Sequence, residues 1–520
     1  MHNSPGFAHN RTTRLYTHFS YWREGVIRLD SAKLPDRIRL YREALGFSPD
    51  LIVREMRLCG ELPVAVLFMD GMVLAQALHD FVIQPMLKTG TAPFDLASVP
   101  KESLPALLIQ EVLSAGDLSV SSDFEELITS LLSGEAILLL QGTENCIRVK
   151  VTGIEERSVS EPLTQTVVRG PMEAFTENSQ TNIALIRRKI RDPRLWLEQL
   201  RIGSLSHTRV SLLYISSIAS ETVLSEVRER LNRIDIDGVL ESGYIEEFIQ
   251  DRTYTPFPTV YNSERPDVVA AGLLEGKVAI IVDGTPFVLL VPALFVQFFQ
   301  SAEDYAQRFD ISTLIRLMRY LSFFIAMLAP SIYIALSTFH QEMLPTSLLI
   351  NLAAQREGVP FPAFIEGLLM EVTYEILREA GVRMPRTVGQ AVSIVGTLVI
   401  GQAAVQAGII SAVMVIIVSI TAIASYVMPS GSMSISVRML RFVFMGLAAS
   451  FGVFGILIGI FGLVFHLCGL RSFGVPYMSS LAPFITQNQK DTLFRYPWQH
   501  LTTRPLLVNK KNVRRQKQSK

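Results

Sequence analysis

Polar and apolar positions change their arrangement near residue 320. Most charged side chains precede it. Residues 320 to 341 carry no charge, and a second charge-free run lasts from Thr387 to Val437. A helix needs about twenty mostly apolar residues to cross the hydrocarbon core of a bilayer. "YLSFFIAMLAPSIYIALSTF", 320 to 339, meets that length. Pro330 marks a structural kink within it, tolerable where a neighbouring helix satisfies the carbonyl it frees. The stretch 387 to 428 is twice as long and reads as two spans meeting near Ala407 and Gly408. "FVFMGLAASFGVFGILIGIFGLVFHLCGL", 442 to 470, reads as one more span. Its Gly452, Gly455, Gly459 and Gly462 recur every three or four residues, which lets helix backbones approach closely. "PFVLLVPALFVQFF", 286 to 299, is short and broken by Pro292, so it reads as a dip or a span.

Between the charge-free runs lies "FPAFIEGLLMEVTYEILREAG", 361 to 381, with helical periodicity. At 100° per residue Glu371, Glu375 and Glu379 share one stripe, with Arg378 beside them. Ile365, Leu369, Val372, Ile376 and Ala380 form the opposite, apolar face, and Glu366 lies with them. Two accounts fit. Either the helix lies in the interface with its glutamates in headgroup water, or copies around an axis make acidic rings that attract cations. In the second account the apolar face packs on the spans, and Arg378 dilutes any ring it joins. Glu366 is an ionisable group on an apolar face, hence a functional candidate, or else the partner of Arg356. Gln402 and Gln406 supply polar lining or interhelical hydrogen bonds. The pore-lining candidates are therefore Glu366, Glu371, Glu375, Glu379, Gln402 and Gln406.

The charged half contains a repeat. "LLSGEAILLLQGT", 131 to 143, and "LLEGKVAIIVDGT", 273 to 285, align at an offset of 142. Gly134/Gly276, Gly142/Gly284 and Thr143/Thr285 fall in register. Each reads as a helix end, a glycine turn, a buried strand and a second turn. A weaker echo pairs "VAVLFMDGMV" with "VSLLYISSIA", and each leads into a helical pattern. The expected fold is thus an α/β soluble N-terminal region of two similar α/β subdomains, followed by an α-helical polytopic membrane domain. The boundaries read as a variable segment 1–45, subdomains 46–150 and 151–285, a membrane domain 286–470 and a C-terminal segment 471–520.

Charge is balanced, 48 basic against 48 acidic residues, so composition points to no nucleic-acid partner. Cys59, Cys146 and Cys468 form no CxxC pair, which argues against a disulfide framework or a structural zinc site. The N-terminus lacks the apolar core of a secretory signal. The tail "RPLLVNKKNVRRQKQSK" carries seven basic residues and no acid, so it should stay cytoplasmic. With both ends inside, the span count is even, four or six. Arg438 and Arg441 then fall on the outer side, against the usual bias. No phosphate loop, dinucleotide fingerprint, HExxH or GxSxG occurs. We expect no enzyme, no cofactor and no metal. His466 reads as a packed or hydrogen-bonded residue.

Long collinear stretches resemble the A subunit of the spore germinant receptors, the GerA family. They include "GPMEAFTENSQTNIALIRRKIRDPRLWLEQLRIGSLSHTRVSLLYI", "GKVAIIVDGTPFVLLVPALFVQFFQSAEDY" and "PSIYIALSTFHQEMLPTSLLINLAAQREGVPFPAFIEGLLMEVTYEILREAGVRMP", and the likeness covers roughly residues 50 to 495. The resemblance implies a multi-pass protein of the spore inner membrane with its N- and C-terminal regions in the spore core. It also implies a transporter-like B subunit and a lipoprotein C subunit as partners. Oligomerised A subunits would form a nutrient-gated channel releasing monovalent cations. The stage V sporulation protein AF is similar over the same region, so an auxiliary channel or a non-conducting scaffold is the alternative.

Overall fold

In the computed structural model the described residues are 33–58, 62–88, 99–153, 161–383, 401–505 and 512–516. Cys59, residues 387–400 of the stretch 387–428 and much of the basic tail lie outside them. The chain divides into two compact units, one of residues 1–159 with 178–199, the other of 160–177 with 200–520.

In the first unit, strands β1 (Leu51–Leu58), β2 (Leu62–Met69), β3 (Leu118–Ser121), β4 (Ala136–Leu140) and β5 (Cys146–Val149) form one antiparallel sheet, order β1-β2-β4-β5-β3. Successive strand residues face opposite sides. Val64, Val66, Leu138 and Leu140 therefore pack with Leu78, Val82 and Leu108 on one face. Ala65, Leu67, Ile137 and Leu139 pack on the other. That second face meets α1 (Leu34–Ala44) and α2 (Phe124–Leu132) through Ile38, Tyr41, Leu127 and Leu131. Asp123 caps α2 by accepting from the Glu125 amide at 3.1 Å, which satisfies one of the orphan donors of its first turn. Helix α3 (Ser179–Lys189) supplies Arg187, buried against Asp50.

The second sheet has the same order, β6-β7-β9-β10-β8, from β6 (Leu195–Ile202), β7 (Thr208–Ile215), β8 (Tyr261–Ser263), β9 (Val278–Val282) and β10 (Val288–Val291). The boundary between the units falls within β6. Strands β9 and β10 and helix α5 (Pro266–Leu274) sit 142 residues after β4, β5 and α2; helix α4 (Glu221–Asn232) follows β7. The paired glycines take matching left-handed φ, +89° and +95° at Gly134 and Gly276, +83° and +92° at Gly142 and Gly284. A side chain is disfavoured there, so both repeats keep glycine at these turns.

The stretch 286–299 is neither a dip nor a span. It supplies β10 and a buried helical turn, Phe295–Phe299. A strand covered on both faces reads as a continuous apolar run, which is how it resembles a membrane segment and why the α/β region extends past residue 285.

The helical part contains α6 (Phe309–Thr338), α7 (Thr346–Arg356), α8 (Ala363–Arg383), α9 (Ala412–Val427) and α10 (Gly431–Gly469). Among the described residues α6 and α10 are long and apolar enough to cross a membrane. Helix α10 is not straight. Gly452 has φ 61° and ψ −142°, and beyond it the chain doubles back. A Cβ on Gly459 would stand 2.6 Å from the Phe444 ring, and one on Gly455 would meet the Leu447 carbonyl. In a straight helix residues 444 and 459 would be about 22 Å apart. The expected single span 442–470 is therefore one leg and part of another, turning at Gly452. Gly455 and Gly459 serve the close approach; Gly462 has nothing within 4 Å of its Cβ position.

Contacts fix the direction of each helix. Ser436 on the first leg donates to the Pro256 carbonyl, and His466 on the second lies 2.9 Å from Thr255. Both legs thus meet the α/β region at one end. The far turn packs on Phe339 and His340, just past the end of α6. Helix α8 starts near Met414 and Met445, which flank Gly367, and ends with Arg378 over the Tyr426 ring at 5.7 Å. After α10, residues 471–505 return to the second sheet: Ser472 donates to the Thr259 carbonyl and the Phe295 amide to the Tyr477 carbonyl at 2.9 Å.

Candidate functional site

The acidic helix α8 faces the other way from its helical-wheel expectation. Its buried residues are Ala363, Glu366, Gly367 and Glu371, whereas Ile365, Leu369, Val372 and Ile376 are exposed. The wheel gives two faces but no solvent. In lipid the apolar face can point outward, and the ionisable face must find partners inside.

Those partners come from the first leg of α10. Arg441, wholly buried, pairs with Glu371, also wholly buried, and one helical turn away Arg438 pairs with Glu375. Acids four apart on α8 and arginines three apart on α10 make a two-rung antiparallel ladder, because both spacings keep side chains on one helix face. The third acid, Glu379, is exposed and bridges to Arg383 of its own helix at 2.7 Å. Side-chain exposure falls from 64% at Glu379 to 26% at Glu375 and to zero at Glu371.

Arg441 has a second duty. Its Nε donates at 2.7 Å to the Ala326 carbonyl, four residues before Pro330, which has no amide hydrogen to offer it. The neighbour that satisfies the freed carbonyl is thus a charged side chain. Glu366, near the start of α8 and wholly buried, is not held by Arg356. Its Oε1 accepts from the amide of Ser411 at 2.7 Å and from the Ser411 hydroxyl. Ser411 is itself the N-cap of α9, and a carboxylate at a helix N-terminus is favoured by the exposed amides there. Gln402 and Gln406 are exposed on a short helix, Gly401–Gln406.

A second charged cluster lies at the α/β end of α6. Asp304, 1% exposed, accepts from Arg319 Nη1 at 2.7 Å and from Arg316 Nη2 at 3.2 Å. Arg316 reaches Asp491 at 3.1 Å, and the Tyr305 hydroxyl donates to the same carboxylate at 3.0 Å. Burial pushes Asp491 above the ordinary carboxylate range, and burial followed by Asp491 raises Tyr305 well above a normal phenol. These residues join the base of α6 to the segment after α10. Sequence alone does not show this cluster, because its members are scattered across nearly two hundred positions. In the sequence Arg438 and Arg441 read as topology signals; their three-residue spacing against the glutamates is the clue to the pairing.

Nothing in the ladder resembles a nucleophile–base arrangement or a metal-ligand set. Its chemistry is charge compensation among apolar helices.

The family model described as "Bacillus/Clostridium GerA spore germination protein" matches residues 39–507. Spore germination protein KA of Bacillus subtilis is 50% identical over 94% of this chain and 89% of its own length. Spore germination protein GerLA of Bacillus cereus is 38% identical over 91% and 94% respectively. The crystal structure of the N-terminal domain of the A subunit of the Bacillus megaterium spore germinant receptor GerK3 is 38% identical. It covers 52% of this chain and all of its own, with a TM-score of 0.41.

Proposed function

The chain belongs to the GerA family of spore germination proteins, and from that premise we propose that it is the A subunit of a germinant receptor, forming with further copies a nutrient-gated channel for monovalent cations. The observation that carries the channel reading is the ladder of Glu371, Glu375, Arg441 and Arg438 inside a bundle whose outer surface is apolar. Buried ion pairs are expensive to assemble, and ionisable groups among membrane helices are a mark of ion pathways.

Further copies are supported by α7. None of its residues is buried, Ile350 is 62% exposed, and Ser347, Asn351 and Gln355 point to the same open surroundings. A helix with apolar and polar sides both uncovered has surface to offer a neighbouring subunit. Exposed Gln402 and Gln406 fit the same interface, where side-chain amides bond across helices.

The orientation follows from the helix directions. Helix α6 leaves the α/β side, and the second leg of α10 returns to it. The described segments before α6 and after α10 then lie on the α/β side. Arg438 and Arg441 fall toward that same side, so their conflict with the basic tail disappears. In this reading the protein sits in the spore inner membrane with its α/β region in the core, beside the B and C subunits.

The test is potassium release from spores whose only receptor carries Glu371→Gln with Glu375→Gln. With the complex assembled at normal levels, release after nutrient addition should slow or stop. Wild-type release from such spores would exclude the ladder from conduction. The scaffold reading would be favoured by intact receptor in potassium-loaded vesicles that conducts under no nutrient.

A further inference from the structure

At the α/β-side end of the bundle, α8, α9 and the first leg of α10 bring together hydrogen-bond donors that the chain does not use. Tyr374 and Glu375 lie four and three residues before Arg378, hence on one face of α8. Arg378 stands over the Tyr426 ring at 5.7 Å, and Tyr374 faces Tyr426 and Ser425 at the end of α9. Arg438 reaches the same place from α10 through its pair with Glu375. Arg378 Nη1, Arg438 Nε and the Tyr374 hydroxyl are buried without a hydrogen-bond partner, and so is one acceptor, Glu375 Oε1. A buried donor left unpaired is costly, and more so when it is charged. Glu375 is compensated by Arg438 and Glu379 by Arg383, whereas Arg378 is in no ion pair among the described residues. The unmet charge is therefore positive, and the unmet hydrogen bonds are mostly donors.

Depth decides what can reach these donors. Met445 lies seven residues before the turn at Gly452, and Gly367, which packs beside Met445, lies eleven residues before Arg378. At 1.5 Å per residue Arg378 stands about 27 Å from that turn, near the edge of a hydrocarbon core about 30 Å thick. An arginine at that level reaches the phosphate layer. From Tyr426, 66% exposed, the exposed side chains of Ile423, Ile420 and Ile416 run toward the middle of the bilayer along one helix face. We propose that this cluster is a headgroup site for an anionic phospholipid, of the class that carries a phosphodiester and free hydroxyls. The phosphate oxygens accept from Arg378, Arg438 and Tyr374, and a headgroup hydroxyl donates to Glu375 Oε1. The acyl chains lie along the isoleucine stripe. Arg378 is partly exposed, so the phosphate meets its guanidinium first, and Tyr426 turns aside to admit it to the inner donors. A guanidinium binds phosphate through two parallel bonds, and basic pockets between helix ends on this side of a membrane suit anionic headgroups. The site needs the bundle to span a bilayer and makes no use of conduction; each copy in an assembly carries its own.

The experiment uses the full chain in detergent and three probes: dioleoylphosphatidylglycerol, dioleoylphosphatidylcholine and sodium phosphate. The rise in unfolding temperature with probe concentration reads the affinity, since a ligand of the folded state stabilises it by mass action. Phosphatidylglycerol should raise it to a plateau, and phosphatidylcholine should not. Arg378→Gln should weaken phosphatidylglycerol at least about tenfold, the worth of one charge-assisted hydrogen bond, and Arg378→Lys should recover part of the loss. Tyr374→Phe keeps the ring and its packing; it should weaken binding by a smaller factor, and it carries the test if Arg378→Gln does not fold. Arg383→Gln removes an exposed cation already paired with Glu379 and should bind as the parent does. An equal rise with phosphatidylcholine, or no rise with either lipid, overturns the proposal. Unchanged affinity in the folded Arg378 and Tyr374 variants overturns it too. A rise with sodium phosphate that matches the lipid means that the cluster takes free phosphate, and the lipid assignment falls. Equal losses with Arg383→Gln and Arg378→Gln mean diffuse attraction to a basic rim, and the site falls.

Discussion

Arg441 Nε stands 2.7 Å from the Ala326 carbonyl oxygen, and the same guanidinium holds Glu371. One side chain thereby repairs a helix and neutralises an acid on another. Pro330 creates the need for the first bond, since a proline deprives the carbonyl four residues earlier of its helical donor. The two roles can be separated by a double-mutant cycle. Arg441→Met leaves Glu371 buried and uncompensated, which should cost about 3–5 kcal/mol. Pro330→Ala restores the helical amide and should be close to neutral alone. In the Arg441→Met background it should recover on the order of 1 kcal/mol, the coupling of groups sharing one partner. Thermal aggregation of the detergent-solubilised chain measures all three. Equal effects of Pro330→Ala in both backgrounds would show that Arg441 contributes nothing to the kink.

Much of this was readable from the chain and some was not. The repeat was legible because Gly134/Gly276 and Gly142/Gly284 need left-handed φ that other residues resist. The amphipathic nature of α8 was legible from period alone. Its direction was not, because a wheel cannot say whether lipid or protein takes the apolar face. Residues 286–299 misled for a related reason: a doubly covered strand and a membrane segment are both continuous apolar runs. The hairpin in α10 was half visible. Its glycines announced close packing, but only a backbone angle distinguishes Gly452, the turn, from Gly462, which packs on nothing within 4 Å.

Those two glycines make a matched pair. Gly452→Ala forces a side chain into a conformation that glycine alone tolerates and places its Cβ 2.7 Å from the His340 ring; strain of this kind costs of order 1–3 kcal/mol. Gly462→Ala meets open space and should gain slightly in helix propensity. Cysteines introduced at Phe444 and Gly459 would crosslink in the Gly462 variant, and less efficiently in the Gly452 variant. Undiminished crosslinking with Gly452→Ala would mean the reversal does not depend on that glycine.

The cluster at the base of α6 ranks its own members. Asp304 is almost wholly buried and serves both Arg316 and Arg319; Asp491 is one-fifth exposed and serves Arg316 with Tyr305. Asp304→Asn leaves Arg319 without a carboxylate and Arg316 with Asp491 as its one ion-pair partner, so a loss of about 3–5 kcal/mol is expected. Asp491→Asn leaves Arg316 its bond to Asp304 and retains an acceptor for Tyr305. It should cost distinctly less. Limited proteolysis of the segment after α10, compared between the two variants, reads the order; the reverse order would place the anchor at Asp491.

Lys277 offers a pH test that involves no membrane group. It stands 142 residues after Glu135, whose carboxylate pairs with Arg148 at 3.0 Å. In the second repeat the position of Arg148 is taken by Leu290, and Lys277 is 5% exposed beside that leucine's neighbour Gly272. Burial lowers its pKa to about 8, with Glu275 opposing. An unfolded lysine keeps its proton to about 10.4. Between those values the unfolded chain binds more protons, so stability rises with pH across the window. Below about pH 8 both states are charged and the cost of the buried ammonium is present in full. Lys277→Met should therefore stabilise at pH 7 by an amount on the order of 3 kcal/mol at most, with the gain shrinking as pH approaches 10.5. The difference in melting temperature between variant and parent, taken at pH 7 and pH 10, isolates this residue from tyrosines titrating in the same range. A difference that stays constant with pH would mean that packing of the methionine, and not release of a buried charge, accounts for it.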